Sequence, residues 1–177
     1  MIDKFKKEIF EWAKIIGTAI VFAFIIIQFI RPTLVKGESM DPTLEENDYL
    51  IVNQVSYKIG EPQNGDIIVF STDLLQENGQ YKDLVKRVIA KEGDHIKIEN
   101  SNVYVNGEKI DETYIDGAYT DGHVDVTVPE GKVFAMGDNR ENSLDSRYEE
   151  IGLIDEEQIM GKVFVRLLPF NKIGFVE

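Results

Sequence analysis

A serine and a lysine are the residues of this sequence whose types could do covalent chemistry together. Ser39 lies in the turn-like segment 37–44, GESMDPTL, and Lys86 lies in the apolar segment 84–89, LVKRVI. A serine hydroxyl becomes a nucleophile when a base takes its proton, and a lysine amine can be that base if burial keeps it neutral. Taken alone, Ser39 also fits an ordinary loop serine, and Lys86 fits the solvent-facing lysine of an edge strand.

A dense polar loop follows an apolar strand later in the chain. Residues 136–147 read MGDNRENSLDSR, which by itself could be a structural turn held by Asp–Arg pairs. If 84–89 is a strand, alternation places Lys86 on one face with apolar neighbours and turns Arg87 toward a different partner. The three segments point to chemistry because they occur together, in this order, behind one apolar N-terminal run.

The composition excludes several kinds of site. The 177 residues include no cysteine, which removes disulfides, thiolate metal sites and a cysteine nucleophile. His95 and His123 are the two histidines of the sequence, so a His-rich metal site or a Ser-His-Asp triad has few candidates. We therefore expect no metal and no cofactor. The formal net charge is −13, and so acidic a chain repels phosphate backbones, which argues against a nucleic-acid partner.

An uncharged run marks the N-terminal part of the chain. Ile15–Ile30 has no charged residue, and with Trp12 and Ala13 it approaches the roughly 20 apolar residues that cross a bilayer. A cleaved signal peptide would need small residues after the run, and a buried core helix is rarely apolar on every face. We therefore expect residues 1–31 to be a cytoplasmic N-terminus and a transmembrane helix that binds membrane lipid.

The charges around this run predict its orientation. Four lysines precede the uncharged run, whereas Arg31 and Lys36 are the basic residues that closely follow it. The positive-inside rule then places the N-terminus in the cytoplasm and residues 32–177 outside the cell membrane. An extended chain from Arg31 to Ser39 reaches at most about 25–30 Å, so the chemistry would lie near the outer membrane surface.

Residues 32–177 are predicted to form a mainly β, antiparallel body of the sandwich or open-barrel kind. Short β-branched segments alternate with turn residues, and Asn106-Gly107 is a strong hairpin signal. The range 94–132 is interpreted as a smaller β insertion. Pro32 is expected to end the helix and start an extended linker. Three stretches depart from the strand pattern: an exposed loop at Thr72–Asp83, a solvated acidic face at Glu108–Glu130 and a short helix at Asp155–Met160.

These features together resemble the type I signal peptidases, which are membrane-bound serine proteases. The resemblance covers essentially the whole chain and looks like the Gram-positive branch of the family. It implies a mainly β fold of the signal-peptidase and LexA-like kind. It also implies that a neutral Lys86 activates Ser39 to remove signal peptides from exported preproteins at the cell membrane. The matching segments are the N-terminal span, Ser39-Met40-Asp41-Pro42-Thr43, Gly65–Phe70, the Lys86-Arg87 strand and the Gly137–Arg147 loop.

The resemblance also implies roles for residues around this pair. Ser143 would hydrogen-bond Lys86 and orient it, and Asp145 would pair with Arg147 to hold the polar loop in shape. Asp138 would be the partner of Arg87. All five residues would support the Ser39–Lys86 pair. Asp138, Asp145 and Arg147 would do so as structural residues that carry no proton.

The expected oxyanion site departs from part of the family. Some members have a serine two positions before the nucleophile, where this chain has Gly37. The Ser39 backbone N–H remains as one donor, and the second donor in the Gly37 region stays open. Shallow apolar pockets for small substrate residues are implied as well. Their expected lining consists of Val35, Met40, Leu44, Leu84 and Val85.

Three other functions compete with this interpretation. The LexA-like repressors cleave themselves with a Ser-Lys dyad but carry a DNA-binding domain. Non-catalytic signal-peptidase-like factors in pilus assembly would be expected to lack Ser39 or Lys86, and they are the second choice. A membrane-tethered binding module would leave the ordered motifs unexplained.

Overall fold

A long N-terminal helix and two β-sheets make up the computed structural model, which describes residues 2–76 and 78–176. Met1 and Glu177, at the outer ends of the predicted segments 1–31 and 32–177, lie outside the described residues. Glu77, in the predicted Thr72–Asp83 loop, also lies outside them.

Helix α1 spans Ile2–Ile27, and the chain continues directly into a strand, β1, at Ile30–Leu34. Large apolar side chains are exposed along this helix, among them Phe10, Trp12 and Phe24. Among the residues that the structure describes, no helix is long and apolar enough to cross a membrane. The predicted membrane span therefore stays a prediction.

The larger sheet has eight strands and is antiparallel, as the sequence predicts. The strands are β1, β2 (Tyr49–Asn53), β3 (Ile67–Leu75), β4 (Tyr81–Lys91), β9 (Lys132–Met136), β10 (Ile154–Asp155), β11 (Ile159–Leu168) and β12 (Gly174–Phe175). Their order in the sheet is β1-β2-β11-β3-β4-β9-β10, with β12 paired to β11. A four-residue helix, α2 (Ser56–Ile59), follows β2.

The smaller sheet has four strands in the order β7-β6-β5-β8 and lies within the predicted insertion, 94–132. The Asn106-Gly107 turn joins β6 to β7, and both residues adopt the positive φ that this turn requires. The strands are β5 (His95–Glu99), β6 (Asn102–Val105), β7 (Glu108–Lys109) and β8 (Val124–Thr127).

The two sheets bury apolar side chains of their strands in three clusters. One cluster lies beneath the Ser39 segment, where Val35, Met40 and Leu44 pack with residues of β2, β3 and β11. A second surrounds Ile68 and Val88 of the larger sheet, and a third contains residues of both sheets, among them Ile96 of the smaller sheet and Phe134 of the larger one. β5 buries every second side chain, as expected for a strand with one buried face, whereas β3, β4 and β9 each bury a run of consecutive residues.

One local expectation is wrong, and two hold only in part. The predicted Thr72–Asp83 loop is mostly a hairpin, because β3 runs to Leu75 and β4 begins at Tyr81. The predicted Asp155–Met160 helix is a single 3₁₀ turn, Glu156–Gln158, between two strands. The predicted linker after the helix includes β1, whose Pro32 pairs with Ile51 at the edge of the sheet, where a missing N–H is tolerated.

Candidate active site

The backbone around Ser39 is fixed by its apolar neighbours. Met40 and Leu44 are buried, and the Leu44 N–H donates to the Met40 carbonyl at 2.8 Å. The Val35 N–H donates to the Asp48 carbonyl at 2.9 Å, which joins the two ends of the chain segment that contains Ser39. Ser39 lies between the buried residues Val35 and Met40 and is itself half-buried. Its hydroxyl faces β4.

Lys86 reaches Ser39 from β4. Its Nζ donates to Ser39 Oγ at 2.6 Å and to the Val85 carbonyl at 2.9 Å. The side chain is almost completely buried, with 1% of the residue exposed. Loss of solvent disfavours the ammonium form and lowers the pKa of Lys86 from 10.5 to about 8, although the carboxylate of Asp145 opposes that change. A large fraction of this amine can therefore be neutral near pH 8.

The Arg87 guanidinium points away from Ser39 and pairs with the polar loop. Its Nε and Nη2 donate to the two carboxylate oxygens of Asp138 at 2.9 and 2.8 Å, and both side chains are buried. Arg87 Nη1 also donates to the Gly65 carbonyl at 3.1 Å. This two-point contact fixes the start of the polar loop against β4.

Asp145 is the hydrogen-bonding centre of the polar loop. Its Oδ1 accepts from Arg147 Nε at 2.9 Å, and its Oδ2 accepts from the Gly137 N–H at 3.0 Å. Ser143 Oγ donates to the same Oδ2 at 2.7 Å. The expected hydrogen bond between Ser143 and Lys86 is not present among the described residues. Ser143 instead binds Asp145, whose negative charge acts on Lys86.

Gly137 is where the polar loop meets the nucleophile segment most closely. A Cβ at this position would overlap Ser143 Oγ and the Ser39 carbonyl oxygen, and would lie 2.6 Å from Ser143 Cβ. The Asn139 N–H donates to the same Ser39 carbonyl at 3.1 Å, and Asn139 Nδ2 donates to the Glu38 carbonyl at 3.0 Å. The absence of a side chain at Gly137 therefore allows the loop to touch Ser39.

A groove of about 560 Å³ opens beside Ser39 and Lys86. Of the residues expected to line a substrate pocket, Val35, Leu84 and Val85 border this groove. Met40 and Leu44, which were also expected there, do not border the groove, because both are buried in the core cluster with Leu50 and Val69. Gly37, with a φ of 86°, also borders the groove next to Ser39. The sequence did not suggest two further residues of the wall, Leu34 and Leu144.

The model of the family described as signal peptidase, peptidase S26, matches residues 9–168. The chain belongs to this family. Signal peptidase IB of Staphylococcus aureus (strain COL) is 42% identical over 186 residues, which cover 94% of this chain and 93% of the relative. A probable signal peptidase I-2 of Synechocystis is 36% identical over 168 residues, covering 94% of this chain and 76% of the relative.

A solved structure of a signal peptidase I from Enterococcus faecalis is 27% identical to this chain. The match covers 58% of this chain and 97% of that one, with a TM-score of 0.48. Family membership makes this protein a type I signal peptidase, a serine endopeptidase, and supports removal of signal peptides from preproteins as its function.

Sequence reasoning missed one set of residues around the site of this signal peptidase. The acidic stretch Glu108–Glu130 is not simply solvated, because Glu112 pairs with the buried Arg140 and Asp121 pairs with Arg147. The polar loop contains both arginines, but nothing in their spacing indicates which distant carboxylates face them. An excess of acidic residues in the insertion was the one available signal.

Proposed function

We propose that this signal peptidase cleaves preproteins with Ser39 as nucleophile and a neutral Lys86 as general base, while attached to the cell membrane. The 2.6 Å contact between Lys86 Nζ and Ser39 Oγ carries the proposal. Burial of the amine adds to it, because the neutral form must be populated for the lysine to accept a proton. The presence of both residues disfavours a non-catalytic assembly factor.

The chemistry runs through an ester of Ser39. Lys86 takes the hydroxyl proton as Oγ attacks the carbonyl carbon of the peptide bond, and the resulting ammonium returns that proton to the leaving amine. Lys86 then takes a proton from water, the hydroxide attacks the ester, and Ser39 regains its proton. The Ser39 backbone N–H, with a group of the Gly37 region, would stabilise the negatively charged oxygen.

The groove favours a substrate bound as an extended strand. β9 pairs with β4 from Arg87 onward, so the part of β4 before Arg87 borders the groove on that side. A peptide can hydrogen-bond this backbone while its side chains enter the wall formed by Val35, Leu84 and Val85. The sequence resemblance implies that the pockets along this wall are shallow and accept small residues.

The proposed activity can be tested with the purified full chain in detergent and a preprotein carrying alanine one and three residues before the cleavage site. We expect a single cut after the second alanine. Leucine at either position should lower kcat/KM by at least about 100-fold, because the pockets that the resemblance implies are too shallow for it. Equal cleavage of the alanine and leucine substrates would contradict this description of the groove.

Helix α1 is the proposed membrane attachment. Its exposed apolar side chains, including Trp12 and Phe24, would be covered by lipid. The natural absence of cysteine allows a direct test with the single substitutions Lys6→Cys and Asn171→Cys. In intact cells, a membrane-impermeant maleimide should label the cysteine at 171 and spare the one at 6. Equal labelling, or release of the chain by alkaline carbonate, would contradict a single-pass arrangement.

A further inference from the structure

Arg140 joins the inserted sheet to the polar loop. Its side chain is fully buried, and its Nε donates to the Gly137 carbonyl at 3.1 Å. The other two nitrogens reach the insertion, where Nη1 donates to Thr120 Oγ1 at 2.8 Å and Nη2 donates to Glu112 Oε1 at 2.5 Å. A guanidinium buried in this way needs a nearby negative charge, and Glu112 provides it.

Glu112 is itself held in place by a neighbour in the insertion. Its side chain is 9% exposed, and Tyr114 Oη donates to the same Oε1 at 3.1 Å. The Tyr114 ring also lies against both arginines of the site, with its centre 4.1 Å from the Arg87 guanidinium carbon and 5.9 Å from that of Arg140. The segment 112–114 therefore contacts both side chains that fix the start of the polar loop.

A short path leads from Glu112 to the nucleophile. Arg140 donates to the Gly137 carbonyl, and Gly137 packs so closely that a Cβ there would overlap the Ser39 carbonyl oxygen and the Ser143 hydroxyl. A shift of Arg140 would move Gly137, and the close contact would pass that movement to Ser39. An error of about 1 Å in the position of a reacting group can lower a rate by roughly 100-fold.

We propose that Glu112 is a positioning residue for the reaction at Ser39 and acts through Arg140. The inference rests on the proposed function, because it assigns Glu112 to the support of the same site. Glu112 does not touch the groove, so its loss should lower kcat and leave KM nearly unchanged. A residue that only joins the two sheets would instead lower the unfolding temperature without changing kcat per folded molecule.

A double-mutant cycle on the full-length enzyme tests this path. We would measure kcat and KM for preprotein cleavage by Glu112→Gln, Arg140→Met and the double variant, with the folded fraction taken from thermal unfolding. Glu112→Gln should lower kcat about 10–100-fold with KM within about twofold. The double variant should be no slower than Arg140→Met alone, because coupled residues are not additive. Glu108→Gln and Asp125→Asn, which change acids of the same insertion away from the loop, should behave like the parent.

The outcomes separate this inference from the proposed function. Parent-like kcat in Glu112→Gln, or independent losses that multiply in the double variant, would overturn the positioning role. If Glu112→Gln does not fold, Tyr114→Phe and Thr120→Val remove single hydroxyls from the same network, and each should lower kcat about 3–10-fold. Parent-like kcat in both would also overturn the role. A parent enzyme that cleaves no preprotein would instead refute the proposed function.

Discussion

Replacing Ser39 by alanine or Lys86 by methionine is expected to lower kcat for preprotein cleavage by at least about 10⁴-fold. Ser39→Ala removes the atom that forms the ester. Lys86→Met keeps most of the side-chain volume in the buried site but removes the amine that lies 2.6 Å from Ser39 Oγ. The double variant should be no slower than either single variant, because two groups that act as a unit are not additive.

Control substitutions of the same residue types at other positions show whether a loss of kcat results from removing the reacting groups. Ser56→Ala and Lys58→Met change the same residue types on helix α2, away from the groove, and should keep the parent's kcat. Lys86→Met should unfold at a temperature no lower than the parent, because it removes an amine that is buried at a cost. A folded Lys86→Met enzyme with more than about a tenth of the parent's kcat would show that another base takes the proton.

Gly137→Ala is expected to lower kcat by about 100-fold or more. The added methyl group would overlap the Ser39 carbonyl oxygen and the Ser143 hydroxyl, so the nucleophile segment and the polar loop must separate. Overpacking of this kind also costs about 1–3 kcal/mol in the free energy of unfolding. Kinetic assays and thermal unfolding of the purified variant would measure both effects.

Gly174→Ala is the matched control for this substitution. Neither Gly174 nor Gly137 has a positive φ, so alanine fits the backbone at both positions, and a methyl group at Gly174 would meet no atom within 4 Å. This variant should match the parent in kcat and in unfolding temperature. If Gly137→Ala behaved the same way, the close contact between Gly137 and Ser39 would not matter to the reaction.

Individual strands and tight turns could be predicted from the sequence, because they depend on the residue types within a few neighbouring positions. Strand segments such as His95–Glu99 and the Asn106-Gly107 hairpin turn follow from residue types and spacing alone. The extended β3–β4 hairpin was missed because the polar Thr72-Asp73 pair interrupts the apolar pattern. There, Thr72 Oγ1 donates to the Lys82 carbonyl at 2.7 Å, a contact across the hairpin that no local pattern shows.

In the candidate site, too, residues within sequence motifs could be predicted, whereas contacts that depend on the tertiary fold could not. The contact between Ser39 and Lys86 was expected from motifs that occur in a fixed order, and the structure places the two side chains together. Met40 was expected in the pocket from the family resemblance, but its side chain is buried in a core cluster whose members are distant in sequence. Glu112 was assigned to solvent, because its pairing with Arg140 joins two sheets and depends on the tertiary fold.

The identity of the general base can be tested most directly by the pH dependence of kcat/KM in the full-length enzyme. A base must be neutral to accept a proton, and burial lowers the pKa of Lys86 to about 8. The rate should therefore reach a plateau above that pH and fall tenfold per pH unit below it, to about 1% of the plateau at pH 6.

Two lysine variants provide controls for the midpoint of this pH profile. The positive charge of Lys82 helps to lower the pKa of Lys86, so Lys82→Gln should move the midpoint of the profile to higher pH. Lys91→Gln, farther along the same strand, should leave the midpoint where it is. The prediction is a single ionisation near pH 8 that moves upward in Lys82→Gln. A rate that stays at its plateau down to pH 6 would contradict Lys86 as the base.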